Sequence, residues 1–124
     1  MGDKSYRLGI EGEEIALKFL TDKGFEIIAQ NFRTSGGEID IIAKDKELLV
    51  FVEVKYYSAK SFFPPIFAVS RDKIKSIIKS AKFYIHSRRY YDLQCRFDVV
   101  AIFRDNSGNL KIDHIIDAFS LNNR

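Results

Sequence analysis

At 124 residues, 46% of them apolar, the chain has material for one compact core, expected to span residues 1–124, and too little for two ordinary domains. Twenty lysines and arginines against seventeen acids leave a net charge of +3, which permits a phosphate-rich partner without demanding one. Cys95 is the only cysteine and no apolar run has the length of a signal or membrane segment, so a disulfide framework and a membrane span are excluded and a soluble cytoplasmic protein is expected.

From Tyr6 to Asp22, Leu8, Ile15, Ala16, Phe19 and Leu20 gather with Gly12 on one face of a predicted amphipathic helix, and Gly24 supplies its stop. Gly9 and Gly12 each cost about 1 kcal/mol inside a helix, which points to close approach by another backbone or a ligand, or to a later helix start. Glu13 lies at the border of the apolar face, beside Gly9, Ala16 and Leu20, and is the acid best placed to reach a neighbouring sheet. An ordinary solvated helix acid is its plainer reading.

Three strands are predicted next, over Phe25 to Arg33, Gly37 to Ala43 and Leu48 to Tyr56, with a turn at Thr34-Ser35-Gly36-Gly37. Asp40, Glu53 and Lys55 interrupt the second and third of these where apolar side chains are expected. Alternation puts Glu38, Asp40 and Ile42 on one face of their strand, and Leu49, Phe51, Glu53 and Lys55 on one face of the next. Symmetric hairpin closure about Lys44-Asp45-Lys46-Glu47 sets Asp40 opposite Phe51 and diagonal to Glu53, at about 7–8 Å between backbones. Two carboxylates so placed repel unless a cation or a strong set of donors compensates, and a divalent metal is the simplest compensation. Oxygen ligands favour a hard ion, Mg²⁺ or Mn²⁺, that polarises a phosphoryl oxygen and activates water. Lys55 then orients or deprotonates that water, or neutralises charge on the phosphate; the residues leave these roles open. The plainer alternative is a set of edge charges that discourage aggregation, with Lys55 paired to one of them.

Tyr56, Tyr57, Phe62, Phe63 and Phe67 surround Pro64 and Pro65 in a predicted loop, where docking on the body or a homodimer contact is favoured over stacking on bases. Ser70 then caps a helix carrying Ile74, Ile77, Ile78, Ala81 and Ile85 at helical spacing and ending near Ser87. Lys75, Lys79, Lys82, His86 and Arg89 align on its outer side, either as a solvated face or as a phosphate track. Strands over Cys95 to Phe103 and Leu110 to Phe119 close the chain, and the strand-helix-strand crossover implies one parallel pairing in a mixed sheet. His86 and His114 show no zinc spacing, and no phosphate-cradling glycine loop or nucleophile elbow is present.

These motifs in order, Gly9-x-x-Gly12-Glu13-x-x-Ala16, Asn31-x-Arg33, Gly37-Glu38-Ile39-Asp40-Ile41-Ile42-Ala43, Phe51-Val52-Glu53-Val54-Lys55, Ala68-Val69-x-x-x-Lys73, Arg96-Phe97-Asp98-Val99-Val100 and Ala118-Phe119, resemble the bacterial YraN family along nearly the whole chain. That family is similar to archaeal Holliday-junction resolvases, within the restriction-endonuclease-like, PD-(D/E)xK superfamily. The resemblance implies an α/β fold with a central mixed sheet flanked by helices, in the order α-β-β-β-α-β-β. It also implies a Mg²⁺- or Mn²⁺-dependent endonuclease acting on DNA, with branched or recombining structures as the candidate substrates. Asp40, Glu53 and Glu13 match the metal-binding acids and Lys55 the catalytic lysine. Arg33, Glu38, Lys73, Arg96 and Asp98 match family positions with substrate or structural roles. Tyr57 departs from the pattern, standing where an arginine is usual. A catalytically inactive nucleic-acid-binding module and a protein-interaction scaffold are the alternatives on the same fold.

Overall fold

In the computed structural model, which describes residues 2–57 and 69–120 and the side chains from Gly9 onward, the elements are α1 (Gly2–Asp22), β1 (Glu26–Thr34), β2 (Gly37–Asp45), β3 (Leu48–Tyr57), α2 (Arg71–Arg88), β4 (Cys95–Arg104) and β5 (Leu110–Phe119). This is the order that the sequence predicts. The strands form one mixed sheet in the order β1-β2-β3-β4-β5. Only β3 and β4 run parallel, because only they are joined by a helical crossover.

Each helix covers one face of the sheet. Ala16 and Leu20 of α1 pack on Ile41, Ala43, Val50, Val52, Val100 and Ile102. On the other side Ile77, Ile78, Ala81 and Tyr84 of α2 pack on Ile39, Ile42, Leu49, Phe51 and Phe97. The central strands are therefore apolar on both faces, which explains why β2, β3 and β4 read as near-continuous Ile, Val, Leu and Phe. A charge placed among them needs a specific reason.

Helix α1 begins earlier than the periodicity indicates and ends as expected. Gly24, at φ +96°, donates to the Thr21 carbonyl while Phe25 N–H donates to the Leu20 carbonyl, a glycine-terminated helix end. A Cβ on Gly12 would stand 3.1 Å from the Tyr56 side chain, whereas none would meet anything within 4 Å at Gly9. The close approach is thus made by a side chain of β3. Ser70 caps α2 as predicted, accepting from Lys73 N–H, and the helix runs one residue past Ser87.

The β1–β2 hairpin is seated on α2. Ser76 Oγ donates to the Gly36 carbonyl at 2.8 Å, and Thr34 Oγ1 lies 2.9 Å from Ser80 Oγ. The next hairpin differs from the symmetric closure expected of it. Asp45 pairs with Leu48 and Ile41 with Val52, so the turn is Lys46-Glu47, and one further step of this register puts Asp40 directly opposite Glu53 rather than diagonal to it. A two-residue turn with Lys46 at φ +59° follows the strand twist better than a four-residue connection. Alternation along β2 also breaks once, since Ile39 and Ile42 both face α2 while Ile41 and Ala43 face α1. Glu38, Asp40 and Ile42 therefore do not form the uninterrupted row that strict alternation predicts. Tyr56 and Tyr57 belong to β3, while Phe62, Phe63, Pro64, Pro65 and Phe67 lie outside the described residues.

Candidate functional site

The site grows from a fork in the sheet. Strand β3 stays paired with β4 as far as Tyr57↔Phe103, whereas its pairing with β2 ends at Ile41↔Val52. Past that point the ladder gives way to a side chain: Val54 N–H donates to Asp40 Oδ2 at 2.8 Å. Asp40 is therefore fixed by the backbone of the strand that carries Glu53 and Lys55.

Glu53 follows immediately and is only 3% exposed. Its Oε2 lies 3.3 Å from Lys55 Nζ and 3.8 Å from Lys73 Nζ. Its Oε1 is buried with no hydrogen-bond partner among the described residues. Burial first, then the charge of Asp40, push the Glu53 carboxyl up to about 7, against the pull of Lys73 and Lys55.

Glu13 approaches from α1. Its Oε1 is likewise buried without a partner among the described residues. Burial, followed by the charges of Asp40 and Glu38, holds its carboxyl above the usual range, with the Asn31 amide and Arg33 pulling the other way. Asn31 sits in the left-handed region at φ +52°, a conformation that asparagine tolerates better than most residues. The sequence presents Asn31 only as part of a motif; its neighbourhood with Glu13 follows from this local twist of β1.

Two unsatisfied carboxylate oxygens and an oxygen-only donor set fit a hard divalent ion. No group of three acidic, histidine or cysteine side chains that could hold a metal ion is found among the described residues. Two carboxylates are the usual protein share for an ion such as Mg²⁺, which keeps several waters and takes phosphate oxygens besides. Asp40 and Glu53 would be the pair to hold such an ion, with Glu13 as the third acid in their neighbourhood.

The cations divide into two groups. Lys75, Lys79 and Lys82 are exposed with His86 and Arg89 on the outer side of α2, and the Lys79 stem passes over Gly36. Arg33 is exposed and pairs with Glu38 at 2.8 Å. None of these joins the carboxylates, whereas Lys73 does. Tyr57 flanks the site with its ring stacked on Phe103 at 5.2 Å, and burial and the charge of Glu53 both raise its hydroxyl.

Asp98 is the other buried acid and serves a different purpose. It accepts from Arg96 Nε and Nη2 at 2.8 Å, lies 2.7 Å from His114 Nε2 and accepts from Asp117 N–H at 3.0 Å. Against the upward push of burial, these hydrogen bonds hold its carboxyl below the usual range. With both oxygens satisfied, Asp98 ties β4 to the irregular end of β5, and Arg96 and His114 are its structural partners.

The profile of the uncharacterised protein family UPF0102 matches residues 12–102, a span that contains Glu13, Asp40, Glu53, Lys55 and Lys73. The chain belongs to the UPF0102 family. Its UPF0102 relatives include proteins of Pelobacter propionicus, 44% identical over 91% of this chain and 82% of theirs, and Desulforapulum autotrophicum, 44% identical over 96% and 98%. One of Clostridium perfringens is 39% identical over 90% of this chain and 93% of its own. The UPF0102 assignment is consistent with the restriction-endonuclease-like resemblance and, by itself, names no reaction. No helix among the described residues is long and apolar enough to cross a membrane.

Proposed function

We propose that this UPF0102 protein is a divalent-metal-dependent nuclease that hydrolyses phosphodiester bonds in DNA, with branched or recombining structures as the substrate class suggested by the superfamily resemblance. One observation supports this reading above the others: Glu53 is almost fully buried beside Asp40, with an oxygen that no described group satisfies. A fold retains such a group at a cost in stability, and edge protection against aggregation calls for exposed charge instead. When bound, a Mg²⁺ or Mn²⁺ ion supplies Lewis acidity toward a phosphoryl group and toward water. Asp40 and Glu53 hold it, Glu13 adds a nearby negative charge, and Lys55 offsets charge that develops on the phosphate. Lys75, Lys79, Lys82 and Arg33 are the cations available to phosphates further along the polymer.

The test is cleavage of duplex, nicked and branched DNA with Mg²⁺ or Mn²⁺ by wild type, Asp40→Asn and Lys55→Met. Asparagine keeps an acceptor for Val54 N–H, which alanine would remove. Both variants are expected to lose activity roughly 100-fold or more while keeping the wild-type melting temperature within a few degrees. Undiminished cleavage in either folded variant means that the activity originates elsewhere. A second reading, a nucleic-acid-binding module without turnover, is favoured by the exposed lysine stripe and by Tyr57 in place of arginine. It requires DNA binding without cleavage under every metal condition.

A further inference from the structure

Lys73 breaks the rule of its own helix. Ser70 caps α2 and accepts from Lys73 N–H, so Lys73 occupies the third position of the first turn, where a capping box places Glu or Gln. A cation there also opposes the positive end of the helix dipole. Asp72 meets the preference of the turn and Lys73 does not. Lys75 lies two positions beyond Lys73, which places their side chains on nearly opposite sides of the helix. Lys75 faces solvent, and Lys73 reaches the buried Glu53.

Lys55 arrives at the same carboxylate oxygen from β3, so Glu53 Oε2 faces two ammonium groups while Oε1 faces no donor. Two lysines thus face the carboxylates of Asp40 and Glu53, with Glu13 as a third acid nearby. A divalent ion added to this set tips it toward positive charge where a phosphate would arrive. Like charges at such range repel, and more strongly near a protein surface than in bulk water. An ammonium held against Glu53 therefore competes with the ion. Of the two lysines, Lys73 makes the longer contact and extends from a helix end, whereas Lys55 extends from a strand paired on both sides of its position with β4.

We propose that Lys73 is an exchangeable counter-ion: it neutralises Glu53 until a divalent ion binds, then leaves that carboxylate and takes up a phosphate of the nucleic acid. This deepens the metal-dependent reading and rests on it. Lys73 then acts as a positioning residue that couples the two binding events. Metal and phosphodiester favour each other because each relieves the charge that the other leaves unbalanced.

Calorimetric titration of Mn²⁺ into wild type, Lys73→Gln and Lys73→Arg, followed by binding of a short fluorescent duplex with Ca²⁺ present, tests this. Lys73→Gln is expected to bind Mn²⁺ roughly three- to tenfold more tightly, since a competing charge is gone, and the duplex more weakly by a similar factor. Lys73→Arg is expected to restore both values toward wild type. A lysine of purely structural importance would not move the two affinities in opposite directions. Equal or weaker Mn²⁺ binding by Lys73→Gln, with circular dichroism and melting unchanged, overturns the counter-ion role and leaves the nuclease reading standing. Failure of the wild type to bind Mn²⁺ overturns that reading and the proposal together.

Discussion

Glu53 is held in the fold against its own charge, and that gives it a pH signature. Its carboxyl rises from 4.5 to about 7, chiefly by burial and then by Asp40. The folded state thus binds this proton more tightly than the unfolded chain, so the associated stability is full below pH 4.5 and is lost as pH rises through 7. The difference is worth about 3 kcal/mol. A Glu53→Gln variant never acquires the charge. It is expected to match wild type near the acidic end of this window and to exceed it in the free energy of urea unfolding at about pH 8, by up to about 3 kcal/mol. Saturating Mn²⁺ is expected to narrow the gap by stabilising wild type alone. Equal stability of the two proteins at every pH would mean that Glu53 is not the strained group described here. Asp40, Glu53 and Lys55 were legible in the sequence for the same physical reason: ionisable side chains stand out in strands that are apolar on both faces.

At the level of elements, the order of helices and strands was readable because helical and extended periodicities change at clear turn signals, among them Gly24, Gly36-Gly37 and Ser70. The β2–β3 register was not. Lys44-Asp45-Lys46-Glu47 is polar throughout, so composition does not distinguish a four-residue connection from the two-residue turn that forms, and Lys46 carries no residue signal for its positive φ. Lys73 posed a different problem, because helical projection separates it from Lys75 but does not say which strand residue it meets. The seating of the β1–β2 hairpin on α2 was equally hidden, since Ser76 and Gly37 are far apart in sequence. Gly37 has φ +155°, and a Cβ there would stand 1.8 Å from Ser76 Oγ and 3.2 Å from the Ser76 carbonyl oxygen. Gly37→Ala is therefore expected to lower stability by about 2–4 kcal/mol through backbone strain and overpacking. An unchanged urea midpoint would show that the hairpin is not seated on α2 in this way.

Over the whole molecule, charge is far from evenly spread. Helix α2 contains six lysines and arginines against one acid, Asp72, so it carries more positive charge than the net +3 of the entire chain. The remainder is net negative, and it includes Asp40, Glu53 and Glu13. This division suits a polyanion that lies against α2 while one of its phosphates reaches the acidic fork. Each lysine that contacts a phosphate releases counterions, so duplex affinity is expected to fall steeply with salt. Replacing Lys75, Lys79 and Lys82 together by glutamine leaves the core untouched, because all three side chains are exposed. The triple variant is expected to bind duplex DNA more weakly and to lower the log–log salt slope by up to about 3. Asp40→Asn, measured in the same buffer series without divalent ions, is expected to leave that slope unchanged, because the substitution lies in the fork and removes no cation. If the triple variant keeps the wild-type slope, the outer face of α2 does not carry the polymer, and the path to Asp40 and Glu53 must cross another surface.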